Sequence, residues 1–269
     1  ILGVCEMWVK EYGNDALRLD VANELSHEFN MQLQERMRHI KSDFYIAGEI
    51  WHNALPWLRG REFDSVINYP LEESISVFAL SSAETVKQFE QNINRCLTMY
   101  YRQTEKVLIN QMDSHDTIRL VTKCGCRESA MQQLALMFAM PGSACIYYGT
   151  EILLEGGFDP DCRRCMPWTE IEAGKYADEL MFMKQLIQLR KTNDAMRSIN
   201  IEWLYSADDT CGSSRILRMK KASDDGKQTL NMIFNFSGKD ICADADYGNI
   251  LLSRQFDGKT LGVCGFVIY

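Results

Sequence analysis

Three short apolar runs in this chain end in carboxylates. Leu17, Arg18 and Leu19 lead into Asp20, Tyr45 to Gly48 lead into Glu49, and Val107 to Asn110 run on to Asp113, Ser114, His115 and Asp116. Acids that converge in space can cleave a glycosidic bond. In a retaining reaction one carboxylate attacks as nucleophile and a carboxylic acid protonates the leaving oxygen, the two about 5–5.5 Å apart. The acid needs a raised pKa, which burial or a neighbouring negative charge supplies. A third carboxylate can bind sugar hydroxyls and offset the positive charge that develops at the anomeric carbon. Each acid taken alone also has a plainer reading, since Asp, Ser and Asn after a strand cap the following helix.

The elements that must position these acids alternate up to about residue 197. Strands are expected at 16–20, 44–48, 63–68, 106–110 and 144–147, and helices at 4–12, 23–40, 84–101, 128–139 and 177–190. The helical stretches carry apolar residues at three- and four-residue steps, such as Val86, Phe89, Ile93, Leu97 and Tyr100. Strands alternating with helices imply parallel pairing through crossovers. In a parallel α/β barrel all strand carboxyl ends face one rim, so acids distant in sequence can meet there. After residue 198 the grammar changes to short strands at 199–205, 214–220, 229–236, 250–252 and 260–268, separated by turns such as Asp224-Asp225-Gly226. The expected fold is therefore α/β over 1–197 and a small all-β domain, a sandwich, over 198–269.

Composition narrows the partners. The chain has 269 residues and a net charge of −8, which speaks against neutralising nucleic-acid phosphates. No apolar run reaches the ~18 residues of a membrane span; the longest candidate is broken by Pro141 and Gly142. Ten cysteines in a chain large enough to bury a core read as mostly reduced thiols, which favours a cytoplasmic setting. Cys162 and Cys165 form one CxxC without a second, and with four histidines neither a zinc site nor a metal phosphohydrolase built on His115 and Asp116 is expected.

Arg18-Leu-Asp-Val-Ala-Asn-Glu24, Gly48-Glu-Ile-Trp-His52 and Asp113-Ser-His-Asp-Thr-Ile-Arg119 together resemble the second, third and fourth conserved regions of glycoside hydrolase family 13, the α-amylase family. The Val-Ala-Asn-Glu form is similar to the neopullulanase, cyclomaltodextrinase and maltogenic amylase branch. Pro56 to Gly60, Phe63-Asp64, Asn68 to Pro70, Tyr147 to Gly149 and Gly156 to Arg163 fit that branch too. The resemblance implies a TIM barrel and a retaining α-glycosidase acting on cyclodextrin, pullulan or maltooligosaccharides. It implies Asp20 as nucleophile, oriented by Arg18, Glu49 as general acid and then base, and Asp116 as the third carboxylate with His115 beside it. Asn23 and Glu24 would line the acceptor side, Trp51 would stack on sugar, and Asp159 and Arg163 would reach the non-reducing side. Trp57 reads as a core residue and His52 as a supporting hydrogen-bonder. The CxxC reads as incidental.

The resemblance also implies three earlier β/α units, and with them the family's first conserved region, before the Asp20 strand. The chain is thus expected to hold strands four to eight of the barrel, to be inactive or nearly so alone, and to leave open strand edges that a second copy could cover as a homodimer. No cofactor is expected within the chain; relatives often bind calcium through residues upstream. A transglycosylase of the same family and a non-catalytic α-glucan-binding or assembly fragment are the alternatives.

Overall fold

A computed structural model describes residues 1–205, 214–243 and 247–269. Cys211 lies outside them. Helix α1 (Leu2–Tyr12) precedes strand β1 (Ala16–Leu19). The helix expected from residue 23 is divided. Ala22–Glu24 form one 3-10 turn, Leu25 is extended, and α2 (His27–Ile40) starts where the Ser26 side chain accepts from the Phe29 N–H. Then come β2 (Tyr45–Gly48), β3 (Ser65–Val66), α3 (Tyr69–Leu80), α4 (Val86–Leu97), α5 (Arg102–Glu105), β4 (Ile109–Asn110), α6 (Leu120–Cys124), α7 (Arg127–Phe138) and β5 (Ser143–Ala144).

β1, β2 and β3 pair in parallel, with Leu19 opposite Gly48 and Gly48 opposite Val66. β4 and β5 also pair in parallel. A backbone bridge from Ile67 to Ile109 joins the two groups, and so do amides: Asn68 Nδ2 donates to Asn110 Oδ1 at 2.9 Å, and Asn110 Nδ2 donates to Pro141 O at 2.5 Å. The result is a five-strand parallel path, the partial barrel expected, with helices in every connection but that from β2 to β3, which is a turn-rich loop. The later strands are shorter than their apolar runs. Lys106 instead follows α5 as its C-cap, and the backbone turns at Gly142 before β5. Gly142 has φ 102°, and a Cβ there would lie 2.8 Å from Leu108 O, so only glycine fits.

Past β5 the chain forms α8 (Trp168–Glu172), α9 (Ala177–Thr192) and α10 (Asp194–Arg197), then β6 (Asn200–Leu204), β7 (Ile216–Ala222), β8 (Thr229–Asn235), β9 (Ile241–Cys242), β10 (Leu252–Phe256) and β11 (Thr260–Ile268). Among the described residues these strands make one antiparallel sheet in the order β10-β11-β8-β7-β6, with β9 also on β11. One face, including Met219, Phe234 and Phe266, joins the main core with Phe78, Phe89, Leu134 and Phe182. The other covers a small core of Ile233, Tyr247, Leu261 and Val267. A separate core of Leu33, Met37, Ile46, Phe63 and Val66 lies under β1 to β3.

Cations fasten the sheet, and α9, to the ends of other helices. Arg215 donates to the carbonyls of Phe78, Ser81 and Glu84 around the end of α3. Lys221, fully buried, donates to Ala139 O and Met196 O. Arg190, from α9, reaches the carbonyls of Phe138, Met140, Gly142 and Met196. These carbonyls include those left without partners where α3 and α7 end.

Candidate active site

The side chains of a strand alternate, so Arg18 on β1 and Asp20 just beyond it share a face. The Leu19–Gly48 pairing makes Asp20 and Glu49 neighbours, and the backbone holds them there. Glu49 N–H donates to Leu19 O at 2.9 Å, and Ala22 N–H donates to Glu49 O at 3.0 Å. Close packing fixes this corner: a Cβ on Gly48 would lie 2.7 Å from the Phe63 ring.

Arg18 bridges the two acids. One terminal nitrogen pairs with Asp20 Oδ1 and the other lies 3.0 Å from Glu49 Oε2. The Arg18 hydrogen bond and charge hold the Asp20 carboxyl below its ordinary range, with smaller contributions from Glu49 and His115. Asp20 is thus ionised and open to solvent, whereas Glu49 is 4% exposed. Glu49 Oε2 also accepts from Val21 N–H at 3.1 Å, which the left-handed turn at Val21 (φ 43°) aims back at it.

Trp51 and Tyr69 close over Glu49. Trp51 Nε1–H donates to Glu49 Oε1 at 3.2 Å, and the Tyr69 hydroxyl donates to the same oxygen at 3.4 Å. The two rings stack at 4.2 Å, with Trp51 still 51% exposed. Burial first, and then the Glu49 charge, push the Tyr69 hydroxyl up to about 12, so it keeps its proton at neutral pH. Ser114 and Asp116 act on the same hydroxyl, which places Tyr69 between the strand-end pair and the loop after β4.

That loop separates its acids. Asp113 turns inward: Oδ1 accepts from the Thr150 hydroxyl at 2.6 Å and Oδ2 from Leu120 N–H at 2.9 Å, at the start of α6. Burial raises its pKa. Asp113 therefore follows the capping alternative. Asp116 faces the rim, 3.0 Å from His115 Nε2 and 3.1 Å from a terminal nitrogen of Arg163. Arg163 Nε lies 2.6 Å from Asp159 Oδ1 and donates to His115 O at 3.0 Å. The Cys162 thiol donates to that same carbonyl at 3.0 Å. Cys162 is therefore a buried part of the loop's anchorage, while Cys165 is exposed.

The structure thus links Arg18, Asp20, Glu49, Trp51, His115, Asp116, Asp159 and Arg163 along one rim. Asn23 and Glu24 stand beside it in the 3-10 turn after β1, where Asn23 Nδ2 donates to Glu24 Oε1 at 2.8 Å. His52 is exposed, with a hydrogen bond to the adjacent Asn53 carbonyl at 3.2 Å and its ring tilted against Trp57, while Trp57 is half-buried against the core under β1 to β3 and stacks on His27.

Sequence reasoning left Tyr69 and Arg119 without roles. Arg119 is fully buried: Nε donates to Cys162 O at 2.7 Å, another nitrogen donates to Tyr148 O at 2.5 Å, and the guanidinium lies 4.0 Å over the Tyr147 ring. It pins the 156–163 loop that brings Arg163 to Asp116. The available signal was their inclusion in stretches quoted for the resemblance. Among the described residues no cluster of three or more His, Cys, Asp or Glu side chains is arranged to hold a metal ion.

A parallel β/α path with carboxylates gathered at its strand carboxyl ends, followed by an antiparallel sheet, defines a portion of a barrel-type protein with its rim site. Residues 1–206 match the alpha-amylase catalytic domain, and the chain belongs to the alpha-amylase family. It is 36% identical over 283 residues to a cyclomaltodextrinase of Geobacillus thermopakistaniensis, covering 100% of this chain and 47% of that protein. It is 42% identical over 224 residues to an intracellular maltogenic amylase of Bacillus subtilis, covering 82% of this chain and 38% of that one. The solved structure of a debranching enzyme from Nostoc punctiforme superposes with a TM-score of 0.85 at 26% identity, covering 100% of this chain and 60% of that chain. The chain spans about half or less of the length of these sequence relatives.

Proposed function

We propose that this chain is the portion of a retaining α-glycosidase that carries its three reacting carboxylates, with cyclodextrin, pullulan and maltooligosaccharides as substrates. The observation that supports this most is the Arg18 bridge between an exposed, ionised Asp20 and a buried Glu49 at matched strand ends. Asp20 attacks the anomeric carbon and forms the glycosyl intermediate. Glu49 gives its proton to the leaving oxygen and later takes one from water. Asp116 holds ring hydroxyls and offsets the developing positive charge, with His115 donating beside it. Asn23 and Glu24 line the acceptor side, Trp51 presents a stacking face, and Asp159 and Arg163 bind toward the non-reducing end. The names of the cyclomaltodextrinase and maltogenic amylase relatives support this substrate class.

The test is chemical trapping in the protein as isolated from its source. An activated 5-fluoroglycosyl fluoride should leave a label that maps to Asp20, and Glu49→Gln should lower β-cyclodextrin turnover by about 10³-fold. A label on another acid, or turnover that survives Glu49→Gln, would overturn the assignment. Maltooligosaccharide binding without turnover would favour the binding fragment. We place the unit boundary at 197/198, a second copy over the open strand edges at β1 and β5, and the protein in the cytoplasm. The last reading is supported by the free thiols among the described residues and by the relative named intracellular. No helix among the described residues is long and apolar enough to cross a membrane.

A further inference from the structure

Three cysteines remote from the rim meet where the barrel portion touches the C-terminal sheet. Cys124 ends α6, Cys126 is the N-cap residue of α7, and Cys264 lies on β11; all three are free thiols. The Gln132 side chain locks α7 to the sheet, donating to Gly265 O at 3.0 Å and Asn235 O at 2.9 Å. A bulge between Arg254 and Phe256 on the neighbouring strand, together with the left-handed backbone of Cys264 (φ 57°), breaks the regular alternation of β11. Cys126 and Cys264 line one solvent-open cavity with Glu128, Gln255 and Gly262. The Cys264 thiol is pushed up to about 11, by burial first and then by the Cys126 thiol facing it. Cys124 is engaged differently, accepting from the Gln133 amide at 3.0 Å. Cys126 is exposed and Cys264 half-buried, an arrangement of attacking and resolving thiols.

We propose that Cys126 and Cys264 are a redox-sensitive pair, closed into a disulfide between α7 and β11 by exchange with a small-molecule disulfide of the glutathione type. Cys126 Sγ, having released its proton to water, attacks one sulfur of the small disulfide and expels one small thiolate. Cys264 Sγ, likewise deprotonated, attacks the Cys126 sulfur of the mixed disulfide and expels the second. Two protein thiols are oxidised, one small disulfide is reduced to two thiols, and the released protons return to the leaving thiolates. The bond closes a long loop and staples the sheet to the barrel portion, which raises the unfolding temperature.

The test treats the protein with oxidised glutathione, blocks free thiols with iodoacetamide, and reads the intact mass and a non-reducing peptide map. The expected product is a monomer that has lost two hydrogens, with the Cys126 and Cys264 peptides joined, and that melts higher than the reduced form. Cys126→Ser should abolish both changes while keeping the fold, because serine is a good N-cap. Cys124→Ser should retain them. A Cys124–Cys126 or Cys162–Cys165 bond as the sole product would overturn the proposal. So would glutathione left on Cys126, a disulfide-linked dimer, or a Cys126–Cys264 bond that leaves the melting temperature unchanged.

Discussion

At the rim, Arg18 and Arg163 are partly exposed and each is paired with carboxylates. In the seam beneath the C-terminal sheet, Arg190 and Lys221 are buried, Arg215 is partly so, and all three bond backbone carbonyls. None of the three is in a salt bridge among the described residues. Burial, with a smaller push from Arg197, lowers Arg190 to about 10, and burial takes Lys221 well below its ordinary value, helped by Arg190. Ion pairs open to solvent, such as those of Arg163, contribute only about 0–1 kcal/mol, so they chiefly orient their acids; Arg18 also reaches the buried Glu49. A buried carbonyl left without a donor costs about 1–3 kcal/mol, so the seam cations chiefly secure assembly. Side chains of the same charge thus hold carboxylates in one region and backbone carbonyls in the other.

Arg190→Ala should break this comparison hardest. The Phe138, Met140 and Gly142 carbonyls lose their side-chain donor, while Met196 O keeps Lys221, and the expected loss is about 3–5 kcal/mol in urea unfolding, with the rim geometry intact. A loss below about 1 kcal/mol would put the seam on the footing of the rim. Glu105 sharpens the contrast as a buried charge with no cation paired to it among the described residues. It is 2% exposed, its neighbours are Tyr100 and Cys96, and burial raises its pKa to about 7. A raised carboxyl binds its proton more tightly when folded. Its stabilising effect is full below the unfolded pKa and is lost as pH rises through about 7. Relative to Glu105→Gln, the wild type should therefore lose up to about 3 kcal/mol between pH 4 and 8, measured by denaturant titration at each pH. A flat difference would remove Glu105 from the account. The smallest stability effect should come from Arg18→Ala, because Asp20 stays open to water and Glu49 keeps its Val21, Trp51 and Tyr69 donors. Its signature is elsewhere: a carboxyl-carbon NMR titration should find Asp20 moved up toward its ordinary range. An unmoved Asp20 would deny Arg18 its orienting role.

The alternation of strands and helices and the acids at strand ends were legible because each is a local pattern, whereas the register that sets Leu19 opposite Gly48 is not written in either strand alone. Helix α3 was not singled out. Leu71, Ile75, Val77 and Phe78 give it little polar contrast, and Pro70 near its start reads as a break, although proline fits the first turn of a helix. Tyr69 was missed for a related reason: its contact with Glu49 is made by the turn from β3 into α3, which no spacing reveals. Arg119 had no legible role, since a buried arginine whose side chain bonds carbonyls from two separate stretches leaves no pairing signal in the chain. The 3-10 turn before α2 was hidden because Leu25 continues the apolar stripe, although Ser26 marks the true start.

The parallel path is two stiff plates meeting at a narrow joint. Arg18, Asp20 and Glu49 ride on the first plate, and Asp116 follows β4 on the second. The joint includes the Ile67–Ile109 bridge, Asn68 N–H on Ile109 O, the Asn68–Asn110 amide contact, and the Ser65 and Tyr45 hydroxyls on Val107 O, where the plates proper have strand ladders. Flexing there would alter the span between Glu49 and Asp116 while leaving the Asp20–Glu49 spacing unchanged. Asp20 and Glu49 thus take their spacing from one ladder, while the position of Asp116 relative to them is set across the joint between the two.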